Sequence, residues 1–232
     1  MKQLMKKNRP DIYAEGQKKQ VKAGRLYELK MFSKHVDMLE QLDLLVDNPQ
    51  QGRDKVLWQD YKAGCDVLCI GARYGVEMLA MREMGFSTNK IVGIDLYPRA
   101  ADVRRADMHK LPFEPASFDV IYSHHTLDHS LDPRKALAEM ARVSRPGAVW
   151  VFTVPYNDHG PEESVDFDSP DEVVRYLLKA KGKKAEVLYR QEVVRTAEGH
   201  VLPVDTWLPR KWANEVRLII SCLLYTSDAA DE

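Results

Sequence analysis

The chain has 232 residues, with 34 Lys plus Arg against 35 Asp plus Glu, for a formal net charge of -1. That balance argues against a general electrostatic grip on nucleic acid and leaves a local basic patch open. Hydrophobic residues make up 44% and charged residues 30%, a composition that buries an ordinary core without metals or disulfides, and no apolar run reaches the roughly 18 residues a membrane helix needs. The three cysteines, Cys65, Cys69 and Cys222, are odd in number and lack zinc-ligand spacing. They are expected to be free thiols in a reducing cytoplasm, with no metal site. Met1 to Lys7 is basic but is not followed by an apolar stretch, so no secretory signal is expected.

The first elements are helical. Leu26, Leu29, Phe32, Val36, Leu39, Leu42 and Leu45 recur at three- and four-residue steps, which predicts one or two amphipathic helices between Asp11 and about Val46. They read as a flank packed on the main domain or as a lid over a pocket. The pattern then switches to short apolar strands separated by helices. Asp66–Ile70 stops at Gly71. A helix runs from Gly75 to about Met84. Ile91–Ile94 ends at Asp95, and Phe118–Tyr122 follows. Pro133–Val143 is a helix with Pro133 near its first position. Ser144–Gly147 reads as a turn and Ala148–Val154 as a fully apolar strand. Ser169 is a candidate N-cap, with Pro170 behind it, for a helix running to about Lys179. Ala185–Val194, His200–Thr206 and Val216–Ile220 are further strand candidates. Nearly continuous apolar strands alternating with helices predict a doubly wound α/β sheet covered on both faces.

In such a sheet, ligands bind beyond the carboxyl ends of the strands. Four segments fall there: the loop Gly71-Ala72-Arg73-Tyr74-Gly75, whose glycines allow a tight turn and close approach; Asp95, a carboxylate placed to hold ribose hydroxyls; Asp107-Met108; and Ser123-His124-His125-Thr126-Leu127-Asp128-His129. Each has a duller reading. The glycine loop could be any strand-to-helix turn, Asp95 a helix cap and the histidines solvated surface. If the last segment continues as a helix, His125, Asp128 and His129 share one face.

Order and spacing together carry more. The series Val67-Leu-Cys-Ile-Gly-Ala-Arg-Tyr-Gly75, Val92-Gly-Ile-Asp95, Ala106-Asp107, Leu111-Pro-Phe-Glu-Pro-Ala-Ser-Phe-Asp-Val-Ile-Tyr122, Leu127-x-His129 and Leu137-x-Glu-Met-x-Arg-Val-x-Arg-Pro-Gly147 resembles a class I S-adenosylmethionine-dependent methyltransferase of the type 11 kind. The resemblance covers about residues 64 to 155. It implies a Rossmann-like, seven-stranded, mostly parallel methyltransferase sheet with an N-terminal helical extension, and S-adenosyl-L-methionine as cofactor. Gly71, Ala72, Arg73 and Gly75 would border the methionine part of the cofactor. Asp95 would bind the ribose, Leu96 would pack on the adenine, and Asp107 with Met108 would meet the adenine amino group. Ser123 and His124 would line the methyl end. Two positions depart from the family: Cys69 stands where an acid is usual, and Arg73 where a glycine is usual. Arg73 could pair with the cofactor carboxylate, reach an acidic acceptor, or point to solvent.

The implied activity is methyl transfer by in-line displacement to a small-molecule O- or N-nucleophile. His124, His125 and His129 are candidate bases for an oxygen acceptor. The alternative is a non-catalytic cofactor- or partner-binding domain on the same fold. Expected partners are a small-molecule acceptor, no nucleic acid and no membrane, in a cytoplasmic monomer or homodimer. The expected organisation is a helical extension over 1–50, the cofactor-binding domain over 51–221 and a non-native tail over 222–232. The run Cys222–Ser227 is what a transposase mosaic end yields when translated in frame, which predicts a gene cut near Ser221. A cut last strand would leave an exposed sheet edge.

Overall fold

The computed structural model describes residues 31–43, 62–157, 165, 167–182, 185–195, 201–203 and 214–222. The expectations for residues 1–30 and for the tail after Cys222 lie outside them. The described elements are helix α1 over 31–43, β1 Val67–Ile70, α2 Val76–Glu83, β2 Ile91–Asp95, β3 Val103–Arg105, β4 Phe118–His124, α3 Pro133–Val143, β5 Ser144–Pro155, α4 Pro170–Lys181, β6 Ala185–Arg195, β7 Val201–Pro203 and β8 Glu215–Cys222.

These strands form one sheet in the order β3-β2-β1-β4-β5-β8-β6-β7. The five from β3 to β5 are parallel. β8 runs antiparallel between β5 and β6. The order reverses between β1 and β4, which opens the crevice where ligands of this architecture sit. The sheet has one strand more than the expected seven: the three-residue β7 falls within the predicted His200–Thr206 and lies at one edge, while β3 at the other edge is not among the strands predicted from the sequence. β8 is not an edge: from Glu215 to Ser221 it pairs with β5 and β6 on its two sides.

Helices cover both faces, which is why the strands read as unbroken apolar runs. On one face Leu68, Ile70, Ile121, Trp150, Phe152, Leu218 and Ile220 pack against Ala136, Leu137 and Met140 of α3 and Val173 and Leu177 of α4. On the other, Val67, Cys69, Tyr122, Val151 and Ile219 pack against Met38, Leu39 and Leu42 of α1 and Met78 and Met81 of α2. The amphipathic N-terminal segment is therefore, in its described part, a packed flank.

The caps follow the sequence signals. The Asp132 side chain accepts from the Lys135 amide with Pro133 behind it. Ser169 accepts from Glu172, while the Glu172 carboxylate accepts from the Asp168 amide at 2.9 Å, a reciprocal capping arrangement. One boundary differs from expectation. Ser144–Gly147 belongs to β5 rather than to a separate turn. The register shift opposite Phe118 and Val120 and the positive φ of Gly147 are absorbed within the strand as an irregularity.

Two ion-pair groups explain motif residues that make no ligand contact. Arg145 reaches both Asp66 and Asp119, and Asp119 also accepts the Asp66 amide. This ties the amino ends of β1 and β4 to β5. Arg142 donates to the carbonyls of Leu111 and Phe113, and Glu139, paired with Arg142, accepts the Leu111 amide. α3 thus pins the Leu111–Phe113 loop that leads away from Asp107. Among the described residues, no helix is long and apolar enough to cross a membrane.

Candidate active site

The carboxyl ends of β1, β2 and β4 bring the predicted segments to one edge. The β1 loop turns through left-handed glycines, Gly71 at φ 82 and Gly75 at φ 70. The amides of Gly71 and Ala72 both go to the Ile94 carbonyl, at 2.9 and 3.0 Å, so the first turn of the loop is tied to β2. Ala72 is fully buried and faces the core beneath the loop. The Arg73 carbonyl accepts the amides of Arg99 and Ala100, and its guanidinium lies 5.5 Å from the Tyr74 ring centroid.

Asp95 ends β2 and is 9% exposed. Its Oδ1 accepts the Tyr97 amide at 2.6 Å. Burial pushes its carboxyl above the usual range, opposed by the Tyr97 amide, the Arg73 charge, the Arg73 amide and His129. One carboxylate therefore joins the β1 loop to the β2 loop, with His129 close by. Leu96 and Tyr97 follow it at 47% and 44% exposure. That gives an exposed apolar shelf beside a buried acid.

Asp107 is held by His109. The His109 amide donates to Oδ1 at 2.8 Å, and its ring Nδ1 lies 2.6 Å from the same atom. His109 Nε2 receives the Asp132 amide at 3.3 Å and lies 2.8 Å from Ser130 Oγ. An amide can only donate, so Nε2 is the accepting nitrogen and Nδ1 carries the proton toward Asp107. Despite the opposing effect of burial, the His109 amide and ring hold the Asp107 carboxyl below its usual range. Met108 is half-buried against the core.

The β4 segment does not continue as a helix. Leu127–His129 is a single 3-10 turn, and His125 sits before it at φ 48. His125, Asp128 and His129 consequently do not share one face. His129 pairs with Asp128 at 3.5 Å, toward Asp95. His125 Nε2 meets Glu215 Oε2 at 2.7 Å. Ser123 is buried between Ile70 of β1 and Phe152 of β5 in register. His124 points to the face under α1, where its ring packs against His35 and His125 at centroid distances of 4.7 and 4.4 Å. Burial, helped by the nearby His125 and His35, drives the His124 imidazole well below its usual range. His35, bonded through Nδ1 to Tyr122 Oη at 2.7 Å, is pushed down to about 3, chiefly by burial. Both rings are neutral.

Glu215, Arg217, His35, His109 and Glu77 were not legible as site residues. Glu215 and Arg217 had one signal: charges at alternate positions in an otherwise apolar strand. Glu77, in the first turn of α2, is buried behind the glycine loop and influences Cys69. A carboxylate is thus present behind the loop although Cys69 is not one. Among the described residues, no group of three or more His, Cys, Asp or Glu is placed to hold a metal ion.

The residues fit S-adenosylmethionine. A buried carboxylate ends β2, an apolar shelf follows it, and Nδ1 of His124 and Oδ1 of Asp128 are buried polar atoms with no hydrogen-bond partner among the described residues. Residues 68–152 match the family described as "Methyltransferase domain". A probable S-adenosylmethionine-dependent methyltransferase of Mycolicibacterium smegmatis is 30% identical over 106 residues, covering 40% of this chain and 39% of that protein. A ubiquinone biosynthesis O-methyltransferase of Thiobacillus denitrificans is 26% identical over 161 residues, 62% of this chain and 68% of the relative. The solved structure of a possible histamine N-methyltransferase from Thermotoga maritima superposes with a TM-score of 0.52 at 14% identity, covering 84% of this chain and 99% of the other, a likeness of fold. The chain spans about two-fifths of the length of the Mycolicibacterium relative. Its sheet order and its match over residues 68–152 agree: that stretch is similar to the methyltransferase-domain family, on a sheet of the class I type, and the cofactor this family and fold imply is S-adenosyl-L-methionine.

Proposed function

We propose that the protein transfers the methyl group of S-adenosylmethionine to the oxygen or nitrogen of a small-molecule acceptor. The carrying observation is Asp95, a buried carboxylate at the end of β2 that accepts amides from two ligand-facing loops and has an exposed apolar shelf beside it. The bound cofactor supplies a methyl group already activated by a sulfonium charge. The chain's own residues bind, orient and exclude water, and positioning can account for much of the rate. Asp95 holds the ribose hydroxyls, Leu96 and Tyr97 back the adenine, and Asp107, oriented by His109, receives the adenine amino group. Gly71, Gly75 and Arg73 border the methionine part. Ser123 and the neutral His124 lie toward the β4 end of the site. An acceptor of small-molecule size is supported by its relatives, among them the ubiquinone biosynthesis O-methyltransferase.

Calorimetric titration with S-adenosylmethionine, S-adenosylhomocysteine and NAD checks this reading. The first two are expected to bind in the micromolar range and NAD not at all. Asp95→Ala removes hydrogen bonds to a charged acceptor and should weaken binding roughly tenfold to a hundredfold. Binding unchanged in the variant, or a preference for NAD, would overturn the assignment of Asp95.

A further inference from the structure

We propose that the row His124, Thr153 and Arg217, under α1 at the methyl end of the site, is the acceptor subsite, and that Arg217 there holds a carboxylate carried by the acceptor. This rests on the methyl-transfer reading above and narrows its acceptor. The row follows from strand register. His124 of β4 is opposite Thr153 of β5, and Thr153 is opposite Arg217 of β8. Residues in register point to one face of a sheet. That face is the one α1 covers. Two residues further in along each strand, the same register gives Tyr122, Val151 and Ile219, which pack against Met38, Leu39 and Leu42. Apolar side chains thus give way to polar ones at the row next to the carboxyl edge, and all three polar residues are buried.

Arg217 is 5% exposed. Its Nε donates to Glu215 Oε1 at 3.3 Å, and Glu215 lies opposite Pro155, nearer the carboxyl edge. The guanidinium is therefore tipped toward the edge where ligands bind. Its Nη2 is buried with no hydrogen-bond partner among the described residues, and so is Nδ1 of His124. A guanidinium nitrogen can only donate, and a buried one left unmet loses its hydration without return. The bond to Glu215 accounts for Nε and leaves Nη2 unexplained. The Arg217 charge acts on His124, His35 and Tyr122, which puts the guanidinium inside this cluster. Lys34 of α1 acts on both imidazoles as well. Opposing these cations is the buried Glu215, whose other oxygen faces His125 Nε2 at 2.7 Å. His35 bounds the space from α1, its ring 4.7 Å from that of His124. Unmet donors call for an acceptor atom, and the surplus of positive charge favours an anion. Glu215 close by disfavours a dianion such as phosphate. A carboxylate offers two coplanar oxygens, one for Nη2 and one for a His124 ring that carries its proton on Nδ1. The carboxylate is an anchor rather than the methylated group, because pairing with a guanidinium stabilises the lone pairs that would attack. It orients the acceptor so that a separate oxygen or nitrogen faces the methyl group.

Calorimetric titration of the full chain, saturated with S-adenosylhomocysteine, tests this with two matched pairs: benzoate against benzamide, and hexanoate against hexanamide. The carboxylate of each pair is expected to bind at least about tenfold more tightly than its amide. Arg217→Gln should erase that preference, and Arg217→Lys, which keeps the charge without the fork, should retain part of it. S-adenosylhomocysteine binding in the same samples reports that each variant is folded. The proposal is overturned by carboxylates that bind no better than their amides to the unmutated chain, by inorganic phosphate binding in preference to both carboxylates, or by a preference that survives in an Arg217→Gln protein that binds S-adenosylhomocysteine. If Arg217→Gln does not fold, nitrogen NMR on the unmutated chain decides. Benzoate, and not benzamide, should move the Arg217 guanidinium and His124 ring resonances, and resonances that stay in place overturn the proposal. Absence of S-adenosylhomocysteine binding by the unmutated chain would instead remove the methyl-transfer reading, and the carboxylate subsite would then stand or fall on the same titrations of the free protein.

Discussion

Gly71→Ala is expected to cost the protein about 2–5 kcal/mol of folding stability and most of its affinity for the cofactor, because two penalties add. The residue sits at φ 82, where an L side chain is strained by roughly 1–2 kcal/mol. A Cβ there would also lie 2.1 Å from Thr126 Oγ1, well inside contact. Thr126 cannot readily yield, since its hydroxyl donates to the His124 carbonyl at 3.0 Å. The glycine is thus required by the β4 loop pressing on the β1 loop, apart from any ligand. The clash should push apart the two loops that define the site. Chemical denaturation measures the first effect and calorimetric titration with S-adenosylhomocysteine the second. A variant as stable as the parent and binding as tightly would show that the loops repack freely. Gly75→Ala is the milder control: its Cβ would meet Ala100 at an ordinary 3.5 Å, so only the strain of φ 70 remains.

The stability of the protein should fall as pH rises through the window set by Glu77. Burial, with Asp95 nearby, raises this carboxyl from its ordinary 4.5 to about 7, although the amides of Glu77 and Val76 pull the other way. Cys69, Asp95 and Tyr122 feel its charge from the adjoining strands. A carboxyl with a raised folded-state pKa keeps its proton in the native state after the unfolded chain has lost it. The native state therefore binds more protons than the unfolded one between those two values, and stability declines with pH there. Below about 4.5 no penalty exists, and above about 7 the full penalty, on the order of 3 kcal/mol, is reached. Glu77→Gln keeps an accepting oxygen for the amides but cannot ionise. It should match the parent near pH 4.5 and exceed it by about 3 kcal/mol at pH 8. Denaturation curves of both proteins across this range check the sign; a difference that does not change with pH would exclude Glu77 as the titrating group.

Much of the architecture is legible in one dimension because its determinants are local. Unbroken apolar runs mark strands covered on both faces, Pro133 and Ser169 mark helix starts, and glycines mark the turn after β1. The seams between elements are less legible. Ser144–Gly147 has turn chemistry yet lies in β5, because hydrogen bonding to β4 resumes before the chain can leave the sheet. His125, Asp128 and His129 carry helical spacing, but the positive φ of His125 and the single 3-10 turn separate their directions.

The sequence by itself determined most of the strands and helices, though not the short β3 at Val103–Arg105, which loops reach the carboxyl edge, and the family resemblance carried by Gly71, Asp95, Asp107 and the Leu111–Tyr122 run. Only the tertiary structure decided what those residues meet. His35 bonds Tyr122 across 87 positions, His125 meets Glu215 across 90, and His109 turns out to be the partner of Asp107 and Ser130. The reason is the sheet order. Hydrophobic period and turn chemistry act over a few residues, whereas the insertion of β8 between β5 and β6 brings Glu215 to the end of β4, and nothing local to either segment records that pairing.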